Sequence, residues 1–185
     1  MPTWRNWLDS VPDEAFEQSD YFRNYMELLN SRRFLYILEK YDLQVNFYLH
    51  AKFQEYVDAF RAKGSRIHLI SFGEVAVNEM LMRCRMLITD YSSVCWDVLY
   101  QDKPILFYQF DLDKYEEAQG SYLNMRTELF GDRAENCDEL LDKLEEQIKN
   151  DFRMKPEYEA MRKRYFRSTD HTHSRQICEC IKNLL

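Results

Sequence analysis

Glycine is scarce, with four in 185 residues. Neither G-x-G-x-x-G nor G-x-x-x-x-G-K-[ST] occurs, so the glycine-rich loops that cradle phosphates are excluded. A phosphate would have to be held some other way. The five cysteines (Cys84, Cys95, Cys137, Cys178, Cys180) are odd in number, scattered, and form no C-x-x-C pair. That argues against a zinc site and a disulfide framework, and points to a reducing, cytosolic compartment. No apolar run approaches the 18 residues of a membrane span. The opening Met1-Pro2-Thr3-Trp4-Arg5 has no apolar h-region of a signal peptide.

What is present suits one globular domain. Hydrophobic residues make up 45% and charged residues 31%, ordinary values for a soluble fold with its own core. The net charge of −7 is uneven: residues 149–185 carry nine Lys/Arg against five Asp/Glu. That basic tail, "MRKRYFRSTDHTHSR", reads either as a solvated helix face or as a patch for phosphates or an anionic lipid surface. The strongly acidic body argues against nucleic-acid binding.

Apolar spacing predicts helix over 12–40, where Tyr21, Met26, Leu28, Leu29, Phe34, Leu35 and Leu38 recur at three- and four-residue intervals. "LQVNFYLH" (43–50) is aromatic and β-branched and reads as a strand. A helix is expected over 51–63, stopped by Gly64, then strand 65–72, helix 73–84 and strand 86–90. Helix 92–101 and strand 103–109 follow, then an irregular aromatic connection over 115–124. Helices are expected over 137–150, 155–166 and 174–185, and residues 1–5 look like the end of a first strand. The alternation implies a doubly wound, Rossmann-like parallel α/β sheet over about 1–125, with C-terminal helices over about 137–185.

Ligands of such sheets bind outside the carboxyl ends of the strands. Those ends are Thr3-Trp4-Arg5, His50, Phe72-Gly73-Glu74, Asp90-Tyr91-Ser92-Ser93 and Tyr108-Gln109. Ser92-Ser93 opens a helix, whose free N–H groups and partial positive charge attract anions. Two hydroxyls there suit a diphosphate, although Ser92 or Asp90 acting as a plain helix cap is the competing reading. His50 is either structural or a proton or hydrogen-bond donor to phosphate. Arg5 either clamps a phosphate or pairs with Asp9. Asp97 interrupts an apolar stretch. His171 and His173 lack partners at metal-ligand spacing, so no metal site is expected.

The segments "MPTWR", "NFYLH" and above all "LITDYSSVCWDVLYQDKPILFYQFDLDKY" resemble the CDP-glycerol glycerophosphotransferase family, the polymerases and primases of teichoic-acid and capsule synthesis. The pattern I-T-D-Y-S-S-x-x-x-D-x-x-x-x-x-K-P-I-x-F-Y is met at Ile88, Thr89, Asp90, Tyr91, Ser92, Ser93, Asp97, Lys103, Pro104, Ile105, Phe107 and Tyr108. The resemblance implies the donor-binding half of a two-domain GT-B enzyme that transfers glycerol phosphate or ribitol phosphate from a CDP-alditol to a lipid-linked or polymeric acceptor hydroxyl. It also implies no cofactor and no tightly held metal. Carried over by position, Ser92, Ser93, Asp97 and Arg5 fall to the diphosphate. His50 assists departure of CMP, with Asp90 beside it as a catalytic candidate, and Thr3, Phe72 and Glu74 fall to the nucleotide. The parent enzyme would sit peripherally on the inner face of a bacterial cell membrane.

Three departures stand out. The family's His-Gly-Thr motif, implied to supply the base for the acceptor hydroxyl, does not occur here. The N-terminal acceptor domain is expected to be missing, so this half alone should be inactive. In addition, Ala51 follows His50 where the family often has Pro or an aromatic residue. The alternatives are the nucleotide-sugar half of a GT-B glycosyltransferase and a non-catalytic flavodoxin-like or receiver-like module. Thr-Trp-Arg at the first strand end, in place of an acidic pair, argues against a receiver.

Overall fold

The structure, a computed structural model, describes residues 1–166, 168–170 and 172–184. Its first three α-helices are α1 Asp13–Glu17, α2 Asp20–Asn30 and α3 Arg32–Lys40. Strand β1 (Val45–Tyr48) leads into a 3-10 helix, Ala51–Ala59, then β2 (Ile67–Ile70) and α4 (Val77–Arg83). Next come β3 (Leu87–Thr89), α5 (Val94–Tyr100), β4 (Ile105–Tyr108), α6 (Leu112–Ala118) and β5 (Asp132–Ala134). Helices α7 (Cys137–Lys149), α8 (Pro156–Tyr165) and α9 (His173–Leu184) follow.

Every ladder is parallel, and helices cover the strands, as the alternation predicts. Among the described residues the pairing forms two sheets, β1-β2 and β3-β4-β5. Val45 pairs with Ile67, Leu87 with Ile105 and Leu106 with Asp132. The expected first strand is not a strand. Residues 1–3 lie beside β3 and are held to it through bonds of mixed type. The Met1 amine donates to the Ile88 carbonyl at 2.7 Å, and the Thr89 hydroxyl donates to the Met1 carbonyl at 2.6 Å. A cavity of about 700 Å³ is lined by residues of both sheets, Val45 and Phe47 from one and Leu87 and Ile88 from the other.

Other expectations are revised by local chemistry. The single helix over 12–40 is three, because Ser19 and Ser31 each cap a new start by accepting the N–H of the residue three ahead, Phe22 and Phe34. The helix after β1 is 3-10 and ends at Ala59 rather than at Gly64. The connection expected to be irregular from Tyr115 begins within α6. Strand β5 extends the sheet past residue 125. Gly131, just before it, is obligatory, since a Cβ there would lie 2.3 Å from the Ile105 carbonyl oxygen.

The larger core joins α1, α2, α3, β1, the 3-10 helix Ala51–Ala59 and α7. Phe16 centres it, fully buried and stacked on Tyr56 at 3.9 Å. Burying a side chain of this size is worth about 1.5–3 kcal/mol. A second core packs Val98, Leu99, Ile105, Phe107 and Phe130 against α8. Between them these cores hold β3 and β4 so that Asp90, Tyr91, Gln109 and Asp111 emerge side by side.

Candidate functional site

Asp90 follows β3 directly and is fully buried. A buried carboxylate must be paired and hydrogen-bonded to remain charged. The Thr3 N–H donates to both Asp90 oxygens at 2.8 and 3.1 Å, the Tyr91 N–H donates at 2.6 Å, and the Tyr25 hydroxyl donates at 3.0 Å. An Arg5 Nη lies 2.9 Å from Oδ2. Burial alone would push the Asp90 carboxyl up. The Arg5 charge and the Thr3 and Tyr91 bonds outweigh it and leave the group below the usual carboxylate range.

Arg5 is fully buried too. It forks onto Asp111, with Nε donating at 2.8 Å and Nη at 3.0 Å, and donates to the Thr3 carbonyl at 2.8 Å. Aromatic rings enclose it: Tyr91 at 4.8 Å, Tyr21 at 5.2 Å and Tyr115 at 5.3 Å from Cζ. Tyr91 stacks on Tyr115 at 3.6 Å and its hydroxyl donates to Asp111 at 3.1 Å. The anticipated Arg5–Asp9 pair does not form. Asp9 instead accepts from Trp4 Nε1 at 3.3 Å and from Lys52 Nζ at 3.4 Å.

Around this closed cluster lies an open rim. His50 is exposed and caps the 3-10 helix, its Nδ1 accepting the Lys52 N–H at 3.2 Å. That bond leaves the hydrogen of a neutral ring on Nε2. Partial burial and the Lys52 charge hold its pKa below the ordinary value. The Lys52 ammonium also lies 3.8 Å from the Trp4 ring, tying His50 to the Thr3-Trp4-Arg5 segment. Phe72 is 67% exposed, and its N–H donates to Gln54 at 2.8 Å. Glu74 accepts the Ser71 N–H at 3.1 Å, just beyond Gly73, which has φ +84°.

Ser92 is half-buried and Ser93 is exposed. The turn into α5 is made by backbone bonds, from the Cys95 N–H to the Ser92 carbonyl and from the Trp96 N–H to the Ser93 carbonyl. The Ser93 side chain makes no capping bond. Asp90 folds its carboxylate back onto the Tyr91 N–H. Asp97, in the first turn of α5, is exposed. The structure thus joins Thr3, Arg5 and Asp90 by direct bonds and ties His50, Phe72 and Glu74 to neighbouring loops. Ser92, Ser93 and Asp97 make no side-chain hydrogen bond or ion pair with those residues.

Sequence reasoning missed Asp111, Tyr25, Tyr115 and Lys52. The available signal for Asp111 was a carboxylate just past the carboxyl end of a strand. Among the described residues, no three His, Cys, Asp or Glu gather as a metal site. His171 lies outside the described residues, and His173 Nε2 is 3.1 Å from the Tyr100 hydroxyl.

The family described as CDP-Glycerol:Poly(glycerophosphate) glycerophosphotransferase matches residues 1–183. The chain belongs to that family. It is 28% identical over its whole length to the minor teichoic acid biosynthesis protein GgaB of Bacillus subtilis, of which it covers 21%. Over 38% of this chain, identity to the teichoic acid glycerol-phosphate transferase of Staphylococcus aureus is 38%, covering 18% of that protein. The chain therefore spans about a fifth of the length of these relatives. Among solved structures, the H548A form of the wall teichoic acid polymerase TagF superposes with a TM-score of 0.67 at 25% identity. That match covers 98% of this chain and 42% of TagF. The fold is one of parallel sheets flanked by helices, similar to the GT-B enzyme TagF.

Proposed function

We propose that this chain is the donor-nucleotide-binding half of a CDP-glycerol or CDP-ribitol phosphotransferase, acting in teichoic-acid or capsular polysaccharide synthesis. The observation that carries the reading is the division of the Asp90-Tyr91-Ser92-Ser93 run. Its carboxylate is locked inward, while its serines stand at the rim on a turn into α5 closed by backbone bonds. Phosphate oxygens meet the Ser92 and Ser93 hydroxyls there, with Asp97 one turn further on. Family membership over residues 1–183 supports the same reading.

In this scheme an acceptor hydroxyl attacks the alditol-bearing phosphorus of the donor, and the bond from that phosphorus to the CMP oxygen breaks. Catalysis is positioning and charge stabilisation. His50 presents Nε2–H to the oxygen that gathers charge as CMP departs. Thr3, Phe72 and Glu74 border the nucleotide. Arg5 and Asp90 act indirectly, because both are buried and bonded to each other's neighbours. They fix the loop that carries the two serines. The group that takes the acceptor proton belongs to the complementary half of the enzyme.

The basic tail has a mixed assignment. Arg162 donates to the Leu99 and Tyr100 carbonyls at 2.8 Å, and Lys155 pairs with Asp132 at 2.8 Å. Both therefore serve the fold. Lys163 and Arg164 remain on the exposed side of α8 for an anionic membrane surface. Among the described residues no helix is long and apolar enough to cross a membrane.

Calorimetric titration with CDP-glycerol, CDP-ribitol, CMP, UDP-glucose and FMN tests the reading. Cytidine nucleotides are expected to bind with Kd on the order of 0.1–1 mM, as suits half a cleft. Loss of that binding in a Ser92→Ala/Ser93→Ala variant is expected. A preference for UDP-glucose would replace this reading with a sugar-nucleotide transferase.

A further inference from the structure

Asp111 stands at the N-cap of α6, where an aspartate ordinarily accepts an N–H of the first helical turn. It makes no such bond. Its side chain, 10% exposed, instead accepts from Arg5 Nε and Nη at 2.8 and 3.0 Å and from the Tyr91 hydroxyl at 3.1 Å. A local preference given up without local gain marks a residue that serves another part of the molecule. We propose that Asp111 is a positioning residue for the donor site, setting the turn that carries Ser92 and Ser93 through Arg5 and Tyr91. This role rests on the function proposed above.

Three features carry it. First, Asp111 reaches both residues that precede Ser92. Arg5 lies 2.9 Å from Asp90, so the fork from Arg5 onto Asp111 holds the first, and the Tyr91 hydroxyl bond holds the second. Second, the Tyr91 ring is confined. It is 9% exposed, stacks on Tyr115 of α6 at 3.6 Å, and has the Arg5 Cζ 4.8 Å from its centre. Such a ring, one residue before Ser92, passes any shift of α6 to the turn. Third, the far end of α6 grips the same N-terminal segment. The Asn6 N–H donates to Gln119 Oε1 at 3.0 Å, and Asn6 Nδ2 donates to the Ala118 carbonyl at 3.1 Å. Helix α6 is therefore a brace between the N-terminal segment and the serine turn. The turn itself is closed by the Cys95 and Trp96 N–H groups, and the Ser93 side chain makes no capping bond. The direction of its hydroxyls is thus set by Asp90 and Tyr91. Groups held in place before the donor arrives bind it without a further ordering cost.

The test titrates CDP-glycerol into the whole chain and into Asp111→Asn, Tyr91→Phe and Asp132→Asn, followed by amide chemical shifts, with urea unfolding of each alongside. Asp132 is the control. It is paired with Lys155 and accepts from Tyr158, both at 2.8 Å, and lies beside Leu106 near the start of β4, away from the brace. Asp111→Asn and Tyr91→Phe are expected to weaken CDP-glycerol binding about tenfold and to shift the Ser93 amide signal before ligand is added. Asp132→Asn is expected to lose stability with the Kd and the Ser93 signal unchanged, which separates positioning from a merely structural role. Tyr91→Phe spares both ion pairs of Arg5, so it decides the matter if Asp111→Asn does not fold. An unchanged Kd in Tyr91→Phe overturns the proposal and leaves the donor-half reading standing. An equal loss of affinity in Asp132→Asn overturns it too. If the unaltered chain binds no CDP-glycerol, the donor-half reading falls, and the ligand-free Ser93 signal alone decides whether Asp111 sets the turn.

Discussion

Arg5 and Asp90 meet at 2.9 Å with neither side chain exposed. The pair ties the N-terminal segment to the end of β3, and Asp111 joins it from beyond β4. Removing one partner of such a cluster leaves a buried charge unmatched, which costs about 3–5 kcal/mol. Arg5→Ala is expected to lose about that much stability in urea unfolding. Arg5→Lys should recover only part of it, because an ammonium cannot fork onto Asp111 and reach Asp90 at once.

Acid stability follows from the same contact. Asp90 stays ionised in the folded state to lower pH than in the unfolded chain, where a carboxyl titrates near about 3.9. Its contribution is therefore complete above that value and is lost as pH falls through the lower folded pKa. Asp90→Asn should be less stable at neutral pH and should lose less of its remaining stability as pH falls below about 4. Urea unfolding at several pH values measures both effects.

His50 is expected to titrate below its ordinary value, because partial burial and Lys52 both disfavour the charged ring. It is then neutral at pH 7, with Nε2–H facing the rim. Ring-proton NMR measures this directly. Lys52→Ala should raise the His50 pKa toward the ordinary value of about 6.5.

The cysteines should separate by reactivity. Cys178 and Cys180 are exposed on α9. Burial pushes the Cys95 thiol up to about 12 and the Cys137 thiol up to about 11. Since the thiolate is the reactive form, two thiols should react quickly with a disulfide reagent at pH 8, and Cys95 and Cys137 only on unfolding.

The parallel α/β class and most element positions were legible because buried parallel strands are short apolar runs, such as Ile105–Tyr108. Strand β5 was not, since Asp132-Arg133-Ala134 has no apolar pattern and is held by its register on β4 and by Lys155. The splits at Ser19 and Ser31 were legible in principle, as each serine precedes a helical run. The rim residues Ser92, Ser93 and His50 could be read from their places at strand ends. The inward turn of Arg5 and Asp90 could not. Their partners Asp111, Tyr25 and Tyr115 come together only in three dimensions, with Arg5 and Asp111 106 positions apart.

If Ser92 and Ser93 meet the donor's diphosphate as proposed, amide chemical-shift mapping of the chain during CDP-glycerol titration shows it at once. The largest shifts are expected at residues 91–97, smaller ones at His50 and around Phe72, and little change in α7. Saturable binding that leaves residues 91–97 unmoved would contradict the proposal.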